Sequence, residues 1–246
     1  NKFNNINMYY CPRCMKKLKY NYYHFEATGD YYCDCGFKRP NIDYYATNIN
    51  LDKSIMTINN KYDINISFNV LYYAYNILAS YSVCKLVGLD ESDISKYISS
   101  MENNKKLNDS YKYKNRCVYV MNNKNENSTT FNESVLFTEN HKTKRTIVIG
   151  WKEISRRYEF NDMSWLYDIE FELLNTKYTD KVICVGRDKY SIATRMKYAG
   201  FSDDKIRVYD TLEDAEKMIK DKSKGDIFAI LNFDYVKPFN EMMGRD

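Results

Sequence analysis

Two cysteine pairs near the start of the chain carry its clearest chemistry, Cys11-Pro12-Arg13-Cys14 and Cys33-Asp34-Cys35-Gly36. In the first pair, two thiols three positions apart can face one ion across a turn. In the second, Gly36 permits the left-handed backbone that such turns need. Four thiolates in two pairs at this separation match a structural zinc ribbon, with Cys11, Cys14, Cys33 and Cys35 as ligands of tetrahedral zinc. The second pair is C-x-C, one residue tighter than the usual C-x-x-C, so either the geometry is strained or His24 replaces one thiolate. The bland alternative is a set of unmetallated thiols in a degenerate ribbon. A site with four protein ligands leaves no open position for water, so its work would be folding rather than chemistry.

Other catalytic signatures are missing. With only 8 Gly, the sequence contains no G-x-x-x-x-G-K-[ST] phosphate loop. Of its 2 His, His24 lies in the cysteine segment and His141 in a polar stretch, and neither adjoins a nucleophile motif. The 7 Cys are odd in number and unevenly spaced, which argues against a disulfide framework and for a reducing cytoplasm. The 25 Tyr and the many Lys are spread along the whole chain, as a coding bias would leave them, rather than gathered into a stacking face for single strands. A net charge of +4 is too small and diffuse to imply a polyanion, so no nucleic acid is expected as a partner. No apolar run approaches the roughly 20 residues of a membrane span. The polar start, Asn1-Lys2-Phe3, resembles no secretory signal, and its lack of an initiator Met fits a fragment as well as a processed chain.

The elements that must hold these residues read as two parts, 1–105 and 112–246. In the first, the ribbon occupies 8–40. Two strands flank the turn Asn59-Asn60-Lys61, with Ile55-Met56-Thr57-Ile58 before it and Ile64-Asn65-Ile66-Ser67-Phe68 after it. A helix follows with Leu71, Tyr75, Leu78, Ala79 and Val83 on its apolar face, and Asp90 or Ser92 caps a shorter helix near 94–98. The Lys/Asn-rich stretch 103–115 reads as a linker. Beyond it, strands at 117–121, 147–149, 182–185, 206–209 and 227–231 alternate with helices at 191–199 and 212–219. This alternation predicts α/β architecture with a Rossmann-like, largely parallel sheet.

Three stretches carry a family resemblance. Cys35-Gly36-Phe37-Lys38-Arg39-Pro40 with Tyr45-Ala46-Thr47-Asn48-Ile49 resembles the zinc-ribbon insertion in the central domain of the Mur-ligase-like subunits of lipid II isoglutaminyl synthase. Leu71-Tyr72-Tyr73-Ala74-Tyr75-Asn76-Ile77-Leu78-Ala79-Ser80 is similar to a Mur ligase helix start at which an Asn lies near the nucleotide. Ser164-Trp165-Leu166-Tyr167-Asp168-Ile169-Glu170-Phe171-Glu172, followed by Arg195-Met196-Lys197-Tyr198-Ala199-Gly200, resembles the family's C-terminal domain, and its Trp-x-aromatic-Asp string is the most specific mark. The resemblance spans essentially the whole chain, with these patches the close ones. It implies an N-terminal α+β part with a zinc-ribbon insertion and a C-terminal Rossmann-like Mur ligase domain. It implies further that Asp168 completes the Cys-His pair of a glutaminase partner of the GatD kind, that Asn76 sits by the ATP, and that ATP and Mg serve the full-length protein. Without the resemblance, Asp168 reads as a cap on a surface turn, Asn76 as a helix-face polar residue, and Trp165 and Tyr167 as packing. The sequence also departs from the family pattern: Tyr73 replaces a second Asn, Lys124-Asn125-Glu126-Asn127 stands for K-N-P-A-G, and Leu231-Asn232-Phe233-Asp234 lacks the usual Thr-Tyr-Thr.

The expected function is part of an ATP-dependent amidoligase subunit that amidates the α-carboxyl of D-Glu in the lipid II stem, with ammonia from the partner, during peptidoglycan synthesis. In this reading the chain is cytoplasmic or peripheral at the inner membrane face, and is inactive alone because the phosphate loop is missing, as in a chain truncated ahead of the ribbon. The competing readings are a non-enzymatic zinc-ribbon and Rossmann-like module that binds a protein or nucleic acid, and a Mur-type ligase that adds an amino acid. The last gives the Trp-x-aromatic-Asp string no role.

Overall fold

The computed structural model describes residues 8–24, 28–50, 53–66, 71–101, 108–123, 128–152 and 162–245. The chain divides into two compact units, one built on Tyr10–Asn21 and Asp30–Leu107, the other chiefly on Asn108–Asp246, to which Tyr22–Gly29 at the end of the first ribbon strand is also assigned.

In the first unit, β1 (Lys19–Tyr23) and β2 (Gly29–Tyr32) form a two-stranded ribbon. Strands β3 (Ala46–Asn50), β4 (Ile55–Ile58) and β5 (Tyr62–Asn65) form an antiparallel sheet. Asn59 and Asn60, at φ 51° and 55°, make the β4–β5 turn, because Asn tolerates the left-handed backbone that matches the strand twist. Residues 67 and 68 of the expected second strand lie outside the described residues, and β3 was not expected. Helix α1 (Leu71–Leu86) packs Ala74 and Tyr81 on the buried Met56, Ile58, Ile64 and Ile66, with Ile77, Leu78 and Cys84 at the margin. The expected apolar face is therefore displaced: Ala79 is exposed and Val83 is 60% exposed. With Leu, Ile, Val and Tyr on several sides of the helix, periodicity alone does not single out the core face. Asp90 caps α2 (Glu91–Ser100), its carboxylate accepting the Ser92 and Asp93 N–H groups at 2.8 and 3.3 Å.

The second unit is a six-stranded sheet in the order β10-β9-β8-β11-β7-β6. Its elements in chain order are β6 (Asn108–Tyr113), β7 (Arg116–Asn123), α3 (Ser128–Asn140), β8 (Arg145–Trp151), β9 (Thr179–Gly186), α4 (Lys189–Tyr198), β10 (Ile206–Tyr209), α5 (Leu212–Lys217), β11 (Asp226–Asn232) and α6 (Phe233–Met242). Neighbours from β10 to β7 run parallel, and β6 alone is antiparallel. The residues of β8 are buried throughout, as a strand covered on both faces requires. Ile147, Ile149, Trp151, Val182 and Cys184 face a core that contains Phe131 and Val135 of α3 and Ile192 and Met196 of α4. Val148, Ile183 and Val185 face the other, with Leu212 and Ala215 of α5 and Tyr235 and Phe239 of α6. Strand β6 corrects the expected linker: Tyr111 and Tyr113 alternate onto the second core, and the polar residues between them suit an edge strand. Helices α3 and α6 were not expected, α6 because Pro238 lies inside it.

Fully buried Arg145 ties this frame together. Its Nη1 donates to the Thr138 and His141 carbonyls at the end of α3, its Nε to Thr179 Oγ1 at 3.2 Å, and its Nη2 to Thr176 Oγ1 at 3.2 Å. His141 is part of this packing rather than of a polar loop, its ring lying 4.8 Å from that of Tyr119. The turn into β11 depends on Gly225, at φ +81°, where an added Cβ would lie 2.0 Å from the Lys144 carbonyl oxygen. The atoms it would meet are all backbone, of Lys144 and Arg145, which leaves nothing free to give way. Gly225→Ala should lower unfolding free energy by about 3 kcal/mol or more, read as a lower urea midpoint at an unchanged slope. A midpoint equal to that of the parent chain would contradict this packing.

Candidate functional site

The four predicted cysteines come together. Cys11–Lys16 closes on itself through Cys11 N–H to Lys16 C=O and Met15 N–H to Cys11 C=O, both at 2.8 Å. Cys33–Phe37 closes through Cys33 N–H to Phe37 C=O at 2.7 Å and Gly36 N–H to Cys33 C=O at 3.0 Å, with Gly36 at φ +87°. The C-x-C spacing is thus accommodated by a tight glycine turn. All four Sγ atoms lie within 4.8 Å of one another, Cys11 to Cys35 at 3.6 Å and Cys14 to Cys33 at 3.5 Å. A tetrahedral ion about 2.3 Å from each sulfur spaces its ligands about 3.8 Å apart, so the donor set fits one. His24 is not in the group; its ring packs on Tyr22 at 5.1 Å.

Charge decides how these sulfurs can coexist. Burial works to raise the Cys11 thiol, but the Arg13 and Cys14 N–H groups, together with the Cys35 and Cys14 sulfurs, outweigh it and bring it down to about 7. For Cys14 the Lys16 N–H favours the thiolate, yet burial and the sulfurs of Cys33, Cys35 and Cys11 push it up to about 12. Sulfurs this close cannot all ionise unless a cation shares their charge, so a divalent ion entering the group would release protons.

Asp168 belongs to the other unit. It ends the 3-10 turn Ser164–Asp168, and a second such turn, Phe171–Leu174, follows. Leu166, Ile169, Phe171 and Leu174 are buried in the core with α3 and α4. Asn132 of α3 donates from Nδ2 to the Asp168 carbonyl at 2.9 Å and accepts the Glu170 N–H at Oδ1 at 2.8 Å. Arg195 of α4 donates from Nε to the Leu166 carbonyl at 3.1 Å and from Nη2 to the Ile169 carbonyl at 2.6 Å. The same guanidinium pairs with the Glu172 carboxylate at 2.9 Å and lies over the rings of Phe171 and Tyr167, 5.5 and 5.9 Å from their centroids. Trp165 packs on Phe131 at 5.1 Å and Trp151 at 5.5 Å, whereas Tyr167 is 56% exposed. Asp168 stays half-buried beside it.

Asn76 stands exposed on α1, and its carbonyl accepts the Ser80 hydroxyl at 3.0 Å. Asn132 and Arg195 were not singled out as site residues from sequence. Nor was Asn232, buried at the C-terminal end of β11 with neither amide atom bonded. It lies where the strand order reverses between β8 and β11, the position at which open α/β sheets take ligands.

The class this architecture defines is the Mur ligase-like α/β fold. It matches a pseudomurein peptide ligase type C from Methanothermus fervidus with TM-score 0.67 at 18% identity, over 98% of this chain and 51% of that one. It matches MurF from Acinetobacter baumannii with TM-score 0.59 at 17% identity, over 82% and 46%. At these identities the likeness speaks for the fold alone. Residues 124–235 match the family of the MurT ligase C-terminal domain, and the chain is similar to MurT subunits along most of its length. Its sequence is 28% identical over 238 residues to the MurT subunit of lipid II isoglutaminyl synthase (glutamine-hydrolyzing) of Staphylococcus aureus strain COL, covering 96% of this chain and 53% of the relative. The Streptococcus pneumoniae R6 subunit of the same name is 23% identical over 95% and 52%. The chain spans about half the length of the curated relatives it matches.

Next to Asn132 on α3, burial pushes the Glu133 carboxyl up to about 7 from 4.5. The folded chain then holds more protons than the unfolded one between these values, so this group's contribution is full below 4.5 and is lost as pH rises to about 7. Glu133→Gln should stabilise the chain at pH 8 by about 1–3 kcal/mol and flatten its stability profile across that window. Urea titrations of both proteins over a pH series measure this; parallel profiles would contradict it.

Proposed function

We propose that the chain is part of an ATP-dependent amidoligase subunit that amidates the α-carboxyl of D-Glu in the lipid II stem peptide, using ammonia from a glutaminase partner of the GatD kind. The observation that carries this reading is the placement of Asp168 on a turn gripped from two helices within the MurT-matching region. A carboxylate offers about four acceptor positions, so Asp168 can accept the N–H of a partner imidazole across an interface. In doing so it fixes the imidazole tautomer and stabilises the imidazolium that forms as the partner's cysteine attacks glutamine. ATP with Mg supplies activation of the acceptor carboxyl as an acyl phosphate, from which ammonia displaces phosphate to leave the amide. Asn76, exposed on α1, is the residue of this chain assigned to the nucleotide. Among the described residues no helix is long and apolar enough to cross a membrane. The reading places the protein in the cytoplasm, meeting lipid II at the inner membrane face.

Cys11, Cys14, Cys33 and Cys35 are assigned to one zinc ion in a ribbon, which staples a segment with little core of its own. Protein purified without chelator should carry about one zinc per chain, released together with loss of ordered structure in the ribbon when chelator is added. Well under one zinc per chain would reject the assignment.

For the activity, the full-length protein with its glutaminase partner should amidate lipid II in the presence of ATP and glutamine. Asp168→Asn should cut glutamine hydrolysis by the assembled pair by about a hundredfold or more, since the amide holds the wrong imidazole tautomer. Lipid II left unamidated by the active pair would refute the ligase assignment, and hydrolysis untouched by Asp168→Asn would refute the role of Asp168.

A further inference from the structure

We propose that Asn132 and Arg195 are positioning residues for the glutaminase half-reaction, locking the backbone on both sides of Asp168 so that its carboxylate is held in one orientation; this rests on the reading of Asp168 given above. A single-turn 3-10 helix holds itself poorly, because its hydrogen bonds are badly aligned. Here the closing bond, Ile169 N–H to Leu166 C=O, is long at 3.4 Å. The side chains supply what the turn lacks. Asn132 engages the carbonyl of Asp168 and the N–H of Glu170, so the two peptide units that flank Ile169 are tied to α3. Arg195 engages the carbonyls of Leu166 and Ile169, tying the peptide before Tyr167 and the second of those flanking Ile169 to α4.

Both side chains are nearly buried, Asn132 at 9% and Arg195 at 4% exposure. Their bonds are therefore little diluted by water. The chemistry of each is specific. An amide donates and accepts at once, which the carbonyl and N–H facing Asn132 both require. A guanidinium offers donors in a planar fork that reaches two carbonyls and a carboxylate, while its faces lie against Phe171 and Tyr167. A catalytic carboxylate must be held within about 0.5 Å of its working position, and misplacement by 1 Å costs on the order of a hundredfold in rate.

The test is a double-mutant comparison in the assembled pair of full-length protein and glutaminase. Asn132→Ala should lower kcat for glutamine hydrolysis about tenfold or more, with KM for glutamine little changed. Placed in an Asp168→Asn background, it should cost nothing further, because there is no carboxylate left to misplace. Glu172→Gln removes the outer anchor of Arg195 from a half-exposed side chain, 49% accessible, and so carries the test should Asn132→Ala fail to fold. It should give a loss of about threefold that likewise vanishes in the Asp168→Asn background. Equal losses in both backgrounds would mark a structural role only and overturn the proposal, as would full activity of both single variants. If Asp168→Asn itself leaves hydrolysis untouched, the reading of Asp168 fails and this inference falls with it. That result is distinct from one in which Asp168 matters and Asn132 and Glu172 do not.

Discussion

The connection between β8 and β9 must satisfy its backbone away from any sheet ladder, and the way it does so governs the rest. Leu166, Ile169, Phe171 and Leu174 draw this segment into the core, and their peptide groups go in with them. A buried carbonyl or N–H without a partner costs on the order of 1–3 kcal/mol. Short 3-10 turns meet part of that demand, and the side chains of Asn132 and Arg195 meet more of it from α3 and α4. The consequence is chemical as well as structural. A loop that would otherwise sample many conformations presents Asp168 from a fixed frame.

That frame is available because the sheet beneath it is covered on both faces. Strand β8 lies near the middle of the order, flanked by β9 and β11, and its alternating side chains anchor helices on opposite sides. Arg145 secures the same strand to the end of α3, so the helix that carries Asn132 is referenced to the sheet at its C-terminal end. The cysteine group plays a different part in the other unit. There the described residues between Met8 and Pro40 include few buried apolar ones, chiefly Leu18 and the cysteines.

Legibility in the sequence followed the strength of the local signal. Strands β7 to β11 announce themselves as short apolar runs because both their faces are buried, and the spacing of the cysteine pairs predicts that their sulfurs cluster. Asp90 was readable as a cap because its carboxylate acts on the next turn of its own helix. Strand β6 was not, since an edge strand needs only Tyr111 and Tyr113 to face inward and is otherwise free to be polar. Helix α3 was hidden by Ser128-Thr129-Thr130 and Asn132, residues of weak helix propensity, and forms because Phe131 and Val135 bury one turn apart. Asn132 itself carries no sequence signal, because its partners, Asp168 and Glu170, are peptide groups far along the chain. Asp168 is singled out only by the family resemblance; by residue type and spacing alone it reads as one surface carboxylate among many.

The central claim is that the turn carrying Asp168 is a fixed platform before any partner arrives. Amide hydrogen exchange at Glu170, whose N–H is donated to Asn132, tests this directly in the isolated chain. A fixed platform predicts protection approaching that of the core amides of β8 and β9. Exchange at Glu170 as fast as at a freely exposed loop amide would show that the turn opens readily, and would contradict the account.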